Sequence, residues 1–326
     1  MYTIGIDLGG TNIAVGLCDE SLNIKDKISA PTGASRAPEM IVKDMAALAK
    51  KLIDRNHISG DDVAYVGIAT PGTVDPRAGV VEYNNNIRMK NFPIVETFRK
   101  YMPVPKVYVE NDANAAALGE ALVGSGRGSD SLIMITLGTG VGGGIVIDGR
   151  IFSGSVNTSG AELGHTVIVA GGRQCTCGRR GCLEAYASAT ALTAITEEKM
   201  HELELKGIPS LLFEEQSREG RVSARTAFNA AARGDKYASA LIEDYIGYLA
   251  EGVTNMINIF QPKILCIGGG VSGEGENLIR PLEERVSRDQ YTRDSKKKTK
   301  VAVATLGNDA GIIGAAALGN TSSRQK

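Results

Sequence analysis

The sequence lacks a surplus of either charge, since 36 Lys and Arg residues nearly balance 37 Asp and Glu residues. This balance excludes the broad basic field with which proteins attract nucleic acid or anionic membranes. One short basic run, Lys296-Lys297-Lys298 followed by Lys300, is typical of a solvated loop rather than of a phosphate-binding track. We therefore expect neither nucleic acid nor a membrane among the partners of this chain.

Long apolar segments are also missing. No run approaches the roughly 18 apolar residues that a membrane-spanning helix needs. Met1-Tyr2-Thr3-Ile4 leads straight into an alternating strand pattern, without the charged and apolar regions of a secretory leader. We therefore expect a cytoplasmic protein.

The composition that is present suits two globular domains. The chain has 326 residues, of which 43% are hydrophobic and 22% are charged. Predicted strands and helices alternate, which is typical of an α/β fold. The predicted strands are 3–9, 13–18, 63–68, 106–110, two within 131–148, and 263–267; the predicted helices are 37–55, 113–123, two within 225–260, and 309–318.

An internal repeat indicates a duplicated domain. Residues 4–16 and 133–145 share a plan of apolar strand, Gly/Thr turn and apolar strand, with Asp7 aligned to Thr136. Two such units predict two α/β domains facing each other across a cleft, whereas the alternative is two unrelated glycine hairpins. The predicted bounds are 1–112 plus about 307–326 for the small domain and 113–306 for the large domain.

The two glycine-rich turns of this repeat are suited to binding phosphate. They are Asp7-Leu8-Gly9-Gly10-Thr11-Asn12 and the segment 137–144. Glycine lets backbone N–H groups approach an anion, and Thr11 adds a hydroxyl donor. Asp7 ends a buried strand and suits Mg²⁺ shared with nucleotide phosphates, although a tight hairpin capped by Asp7 is the alternative. Neither turn is a Walker loop, and neither is a G-x-G-x-x-G turn that opens a helix.

A third glycine cluster, Gly268-Gly269-Gly270, follows the predicted strand 263–267. Open α/β sheets bind ligands at such strand ends. We interpret this cluster as a nucleoside contact, with a plain turn as the alternative.

Asp112 is the candidate general base. It lies between a predicted strand and the Ala-rich helix that follows, next to Asn111, which is a candidate for holding the same substrate. A helix N-cap is a strong alternative role for Asp at this position. Phosphoryl transfer, however, requires a positioned carboxylate that accepts a hydroxyl proton, together with charge stabilisation around the phosphate.

Five cysteines form an uneven set. Cys18 and Cys266 stand singly in apolar strands, where buried, inert thiols are expected. The other three lie close to one another and to His165, and one imidazole with three thiolates is a closed zinc set, so we predict structural zinc held by His165, Cys175, Cys177 and Cys182. Gly178 and Gly181 would permit the sharp turns that this loop needs. A disulfide and reactive thiols are the alternatives.

Two glutamates flank the predicted zinc loop. Glu162 precedes His165, and Glu184 follows Cys182. A zinc-bound histidine usually donates from its second ring nitrogen to an outer partner. If that partner is a sugar hydroxyl, the metal fixes a sugar site, and both glutamates are candidates to accept from the sugar. Ordinary surface glutamates are the alternative.

At these residues the sequence resembles the ROK (repressor, open reading frame, kinase) family of bacterial sugar kinases and repressors. The shared motifs follow the family's order across nearly the whole chain, and the zinc signature is the most specific of them. They are DLGGTN at 7–12, ATPG at 69–72, ENDANAAALGE at 110–120, LGTGVGGG at 137–144, ELGH at 162–165, CTCGRRGCLE at 175–184 and GGGV at 268–271.

The resemblance implies two actin-like ATPase (ribonuclease H-like) domains with a hinged cleft and a zinc loop at 162–184. It implies Asp112 as general base, and ATP, Mg²⁺ and structural Zn²⁺ as cofactors. The implied sugar contacts are Gly72, Asn86, Asn111, Asp112, Glu162, His165 and Glu184. The implied nucleotide contacts are Asp7, Gly9, Gly10, Thr11, Asn12, Thr139, Gly140 and Gly269. Family analogy also implies a homodimer. Repressor members carry an N-terminal helix-turn-helix of roughly eighty residues, for which a first strand beginning at Ile4 leaves no room.

One departure from the family bears on the substrate. The glucokinase subgroup often shows Asn-Leu-Gly-Trp-x-Asn, whereas this chain has Arg88 and Met89 in place of Gly and Trp within Asn86–Asn91. The favoured hypothesis is an ATP-dependent hexose kinase that phosphorylates glucose. The alternatives are a kinase for fructose, allose or N-acetylmannosamine, a non-catalytic sugar sensor, and an actin- or chaperone-type ATPase with protein partners.

Overall fold

The structure, a computed structural model, describes residues 1–156, 158 and 160–322. Its strands are β1 (Tyr2–Leu8), β2 (Asn12–Cys18), β3 (Ile24–Pro31), β4 (Val63–Thr70), β5 (Thr73–Asp75), β6 (Val80–Asn84), β7 (Met89–Phe92), β8 (Val107–Asn111), β9 (Leu132–Leu137), β10 (Val141–Ile147), β11 (Arg150–Ile151), β12 (Ile264–Gly268) and β13 (Lys300–Val303). Its α-helices are α1 (Pro38–Arg55), α2 (Ile94–Tyr101), α3 (Asp112–Leu122), α4 (Glu184–Ala187), α5 (Ala189–Leu205), α6 (Leu211–Glu219), α7 (Ala224–Ala232), α8 (Lys236–Phe260), α9 (Glu276–Asp289) and α10 (Ala310–Ser322).

Two five-stranded sheets have the same strand order. The first runs β3-β2-β1-β4-β8, and the second runs β11-β10-β9-β12-β13. In the first, β1 is antiparallel to β2 and parallel to β4, which is parallel to β8. In the second, β10 is antiparallel to β11, and β12 is parallel to β13. The predicted α/β class and duplication are confirmed, because two unrelated hairpins would not reproduce this order. A smaller antiparallel sheet contains β5, β6 and β7.

Burial follows the sequence pattern. In β1, the apolar side chains of Ile4, Ile6 and Leu8 are fully buried, as expected for a central strand. Helix α8 buries an apolar stripe that includes Leu241, Tyr245 and Leu249 at helical spacing. This apolar periodicity fixes which face of each element enters the core.

The chain folds into two compact units. Unit 1 comprises residues 1–134, 144–161 and 305–326, and unit 2 comprises 135–143 and 162–304. Helix α3 therefore belongs to unit 1, although the sequence placed it at the start of the large domain. The reason is its packing on α10: a side chain at Gly314 would collide with the Ala115 carbonyl of α3.

None of the helices in the described part of the chain combines the length and the apolarity needed to cross a lipid bilayer.

Candidate active site and metal centre

The register of three parallel strands assembles the first part of the site. Asp7 of β1 pairs with Ala69 of β4, and Ala69 pairs with Glu110 of β8. Because the carboxyl ends of parallel strands lie at one edge of the sheet, Asp7 and the residues that follow Glu110 lie at the same edge. This edge is where the sequence predicted the catalytic carboxylate.

Asp112 does not cap helix α3. The cap is Asn111, whose Oδ1 accepts from the backbone N–H groups of Ala113 at 2.9 Å and Asn114 at 3.2 Å. Asp112 is the first helical residue, and its Oδ1 accepts from Ala113 N at 2.9 Å. Burial raises the pKa of Asp112, opposed by this backbone hydrogen bond. Because Asn111 caps the helix, the Asp112 carboxylate is not needed as the N-cap.

Asp7 is a second carboxylate at this edge with an altered pKa. Burial first, and then the charge of Asp112, raise the pKa of Asp7 to about 6. Two carboxylates so placed favour a cation between or beside them, since a cation offsets both desolvation and mutual repulsion. The role of Asp7 in holding Mg²⁺ stays a prediction.

Asn111 also connects the helix to the Ala69–Gly72 turn. Its Nδ2 donates to the carbonyl of Gly72 at 3.0 Å. Beneath it, Glu110 Oε1 accepts from the backbone N–H of Asn111 at 2.8 Å and from Asn114 Nδ2 at 3.1 Å. Burial raises the pKa of Glu110. These bonds fix the backbone on both sides of Asp112.

The first glycine turn is braced by a residue that sequence reasoning missed. Thr32, fully buried, donates from Oγ1 to the carbonyl of Gly9 at 2.7 Å, and its N–H donates to the carbonyl of Thr11 at 2.8 Å. Gly9 N–H closes the turn on Asn12 O at 2.9 Å. Gly10 and Thr11 remain exposed, as a phosphate-binding turn requires.

This turn lies beside a predicted sugar contact. A Cβ placed on Gly10 would lie 3.7 Å from Asn86 Cβ. Unit 1 therefore holds together one set of predicted site residues: Asp7, Gly9, Gly10, Thr11, Asn12, Gly72, Asn86, Asn111 and Asp112.

Two glycine turns meet in unit 2. Gly138 N–H donates to Gly140 O at 3.0 Å, which closes the turn that carries exposed Thr139. Gly269, at φ 81°, packs so tightly on β9 that a Cβ there would lie 2.5 Å from Leu137 O. The close approach requires glycine and places the second and third glycine clusters side by side, as two nucleotide contacts would be.

The predicted zinc ligands converge. One ligand atom from each of His165, Cys175, Cys177 and Cys182 lies within 4.8 Å of the others. Cys177 Sγ is 3.7 Å from Cys182 Sγ, and His165 Nδ1 is 3.6 Å from Cys175 Sγ.

The Cys177–Cys182 and His165–Cys175 distances fit tetrahedral zinc, and the first is too long for a disulfide. Bond lengths of about 2.3 Å to sulfur and about 2.05 Å to nitrogen give S···S near ~3.8 Å and N···S near ~3.5 Å in a tetrahedron. A disulfide needs about 2.05 Å between sulfurs. The donor set therefore suits zinc, and its four protein ligands complete a tetrahedral coordination shell.

The loop carries the turns that the sequence predicted. Gly178 and Gly181 have φ of 89° and 85°, the left-handed region that favours glycine. An isolated antiparallel bridge joins Val167 to Cys182, and a second joins Gln174 to Arg180. These pairings return Cys182 to the side of Cys177.

The residues that flank the zinc loop differ in their surroundings. His165 turns Nδ1 toward the thiols, which leaves Nε2 for an outer partner. Glu162 is exposed. Glu184 Oε1 accepts from Thr176 Oγ1 at 2.8 Å, and its Oε2 accepts from Val141 N–H at 3.1 Å. Glu184 is thus more than a surface glutamate, because it joins the zinc loop to the start of β10.

Unit 2 holds together the other predicted site residues, which are Thr139, Gly140, Glu162, His165, Cys175, Cys177, Cys182, Glu184 and Gly269. The thiols of Cys18 and Cys266 are buried outside this cluster, as predicted.

The two residues that depart from the family's motif differ in their surroundings. Arg88 has φ 53°, in the left-handed region that glycine adopts without strain. Met89 is buried at 1% exposure. The first replacement therefore lies in a backbone conformation that favours glycine, and the second lies in the core.

Comparison with known proteins agrees with this geometry. The sequence model of the ROK family matches residues 3–322. The chain belongs to the ROK family. It is 39% identical over 320 residues to a glucokinase of Thermotoga maritima, covering 97% of this chain and 96% of the relative.

Solved ROK structures share the fold. A ROK hexokinase from Thermus thermophilus is 31% identical, with a TM-score of 0.81 and complete coverage of both chains. A ROK glucokinase from Streptomyces griseus, solved with glucose and AMPPNP, is 34% identical with a TM-score of 0.75, covering 98% of this chain and 99% of that one. These similarities confirm the actin-like α/β fold, and they support a sugar kinase.

Proposed function

We propose that this ROK protein is an ATP-dependent glucokinase, converting ATP and D-glucose to ADP and D-glucose 6-phosphate, with Asp112 as general base. The observation that carries the proposal is the half-buried Asp112 carboxylate, released from helix capping by Asn111 and positioned beside Asp7. The glucokinase relatives support glucose as the acceptor.

In this proposal, Asp112 accepts the proton of the sugar 6-hydroxyl as that oxygen attacks the γ-phosphorus. A raised pKa makes the carboxylate a stronger base toward the hydroxyl proton. Asn111, already bonded to Gly72, would orient the sugar through the same short segment. The chain would thus position the acceptor and receive its proton with adjacent residues.

The transferred phosphoryl group needs charge stabilisation more than covalent chemistry. The exposed N–H groups and hydroxyl of the Gly9–Asn12 turn would bind phosphate in unit 1, and Thr139, Gly140 and Gly269 would contact the nucleotide in unit 2. Asp7 would hold Mg²⁺, whose charge offsets that of the phosphates. Bound Mg²⁺ would in turn lower the raised pKa of Asp7, because a nearby cation favours the ionised carboxylate.

The zinc is proposed to be structural. Four protein ligands complete a tetrahedral set, so bound zinc stabilises the loop. His165 would then present Nε2, and Glu162 and Glu184 their carboxylates, as contacts for sugar hydroxyls.

A coupled ADP-release assay tests the proposal. The panel contains glucose, fructose, allose and N-acetylmannosamine, with ATP and Mg²⁺, and a reaction without sugar. We expect ADP release that depends on the sugar and is fastest with glucose. Preference for another sugar would correct the substrate, silence with every sugar would indicate a sensor, and sugar-independent hydrolysis would indicate an ATPase with other partners.

A further inference from the structure

Asn84 is a buried polar residue at the end of β6 that no part of the proposed reaction uses. Only 2% of its surface is exposed. A buried amide is costly unless its hydrogen-bonding groups are satisfied. An apolar residue of similar size would fill the space without that cost.

Both ends of the Asn84 amide are bonded to backbone. Nδ2 donates to the carbonyl of Pro71 at 2.8 Å. Oδ1 accepts from the N–H groups of Asn86 at 2.9 Å and Ile87 at 3.1 Å. One side chain therefore connects the Pro71-Gly72 turn to the turn that presents Asn86.

The Pro71-Gly72 turn is held tightly against β6. A Cβ on Gly72 would lie 2.2 Å from the carbonyl oxygen of Tyr83. On the other side, Asn111 Nδ2 donates to Gly72 O at 3.0 Å. The turn is thus fixed between the strand that ends in Asn84 and the residue that precedes Asp112.

The second turn has an anchor and a presenting residue. Ile87 is fully buried, and its N–H is one of the two that Asn84 accepts. The N–H of Asn86 also donates to Asn84 Oδ1, and the side chain of Asn86 is exposed beside Gly10. Asn84 therefore sets the direction in which Asn86 leaves the core.

We propose that Asn84 is a positioning residue for hexose recognition, holding Gly72 and Asn86 in one fixed spacing so that both contact the same sugar. This inference rests on the proposed kinase function. It places sugar affinity under the control of a residue that does not touch the sugar. Its loss would leave the Pro71 carbonyl and two N–H groups without their partner, so the two turns would move independently.

The test compares Asn84→Ala and Asn84→Asp with the parent. The Asp side chain keeps an oxygen that accepts from the N–H groups of Asn86 and Ile87, but it cannot donate to the carbonyl of Pro71. Asn84→Asp therefore preserves the turn at Asn86 and removes its hydrogen bond to the Pro71-Gly72 turn. The matched control is Asn56→Ala, which removes bonds of the same kind to Asp26 and Leu52 at the end of α1. The measurements are steady-state kinetics with glucose and ATP varied separately, glucose binding by calorimetry, and Tm.

We expect both Asn84 variants to raise KM and Kd for glucose about tenfold or more, with KM for ATP within twofold of the parent. Asn56→Ala should lower Tm and leave the glucose KM unchanged. A glucose KM within twofold of the parent in both Asn84 variants, with Tm lowered as in Asn56→Ala, would reduce Asn84 to a structural residue. A parent that neither phosphorylates nor binds any hexose would instead overturn the proposed function and this inference with it.

Discussion

Asp7 and Asp112 lie at the same edge of the first sheet, and the charge of Asp112 adds to burial in raising the pKa of Asp7 to about 6. Asp7 lies in β1, and Asp112 is the first residue of α3, directly after β8. Both strands pair with β4, so the sheet keeps the two positions at one edge. The protein therefore holds two acids where their charges are unfavourable, which is typical of a site that binds a cation or handles protons.

The raised pKa of Asp7 predicts a pH-dependent gain in stability for Asp7→Asn. The folded protein binds this proton more tightly than the unfolded chain, so the parent loses stability as pH rises from about 4 through about 6. The shift from 3.8 to about 6 corresponds to about 3 kcal/mol by pH 7. The variant should have a Tm advantage that grows from pH 4 to pH 7, measured without ligands.

The control for this experiment is Ile53→Val, a core change in α1 that removes no titratable group. Its Tm difference from the parent should be the same at every pH. If the Tm difference between Asp7→Asn and the parent is also independent of pH, Asp7 carries no unfavourable charge in the folded protein. The Asp7→Asn variant should also lose most of its ATP-dependent turnover, because a neutral amide binds Mg²⁺ much more weakly than a carboxylate does.

The zinc site predicts about one zinc ion per chain in protein purified without chelator. Cys182→Ala removes a buried ligand and should abolish the bound zinc and lower Tm. Cys18→Ala removes an equally buried thiol in unit 1 and should keep the zinc. Elemental analysis checks both.

Chelator treatment provides the second arm of this test. It should lower the Tm of the parent and of Cys18→Ala, and leave Cys182→Ala unchanged, because bound metal adds its binding free energy to the folded state. Zinc-free parent protein with an unaltered Tm would contradict the ligand assignment.

Arg88 predicts a stabilising substitution. A non-glycine residue at φ 53° carries a cost of about 1 kcal/mol, which Arg88→Gly would relieve. We expect a higher Tm for this variant. Lys90→Gly, at an exposed position in neighbouring β7, should lower Tm because glycine weakens a strand. Equal destabilisation by the two changes would show that the left-handed backbone at Arg88 carries no strain.

Local patterns in the sequence predicted much of the fold and of the site. Alternating apolar residues located β1 and β2, and glycine clusters located the turns. Metal chemistry identified His165 and the three cysteines, because ligand type and short spacing are local properties. Asp112 was considered as the N-cap of α3, whereas the cap is Asn111, because Asn and Asp both favour that position and the sequence does not fix where the helix begins.

Residues that act across long sequence separations were missed. Thr32 reaches Gly9 only because β3 pairs with β2. Glu120, fully buried, accepts from the N–H of Leu306 at 2.7 Å and from that of Ser125 at 2.7 Å. Nothing in the neighbourhood of either residue signals these bonds, because the partners are set by tertiary packing. The strands β3, β5, β6 and β7 were missed as well. No residue of the edge strand β3 is buried, and β5 and β7 have only three and four residues, so these strands show little apolar periodicity.

The most direct test of the account is the turnover of Asp112→Asn. The amide preserves the size of the side chain but cannot accept the hydroxyl proton as a base, so kcat should fall by about 10²- to 10⁴-fold. Glucose binding by calorimetry should stay within a few fold of the parent, and Tm should not fall. A kcat within a few fold of the parent, with binding intact, would contradict the assignment of Asp112 as the general base.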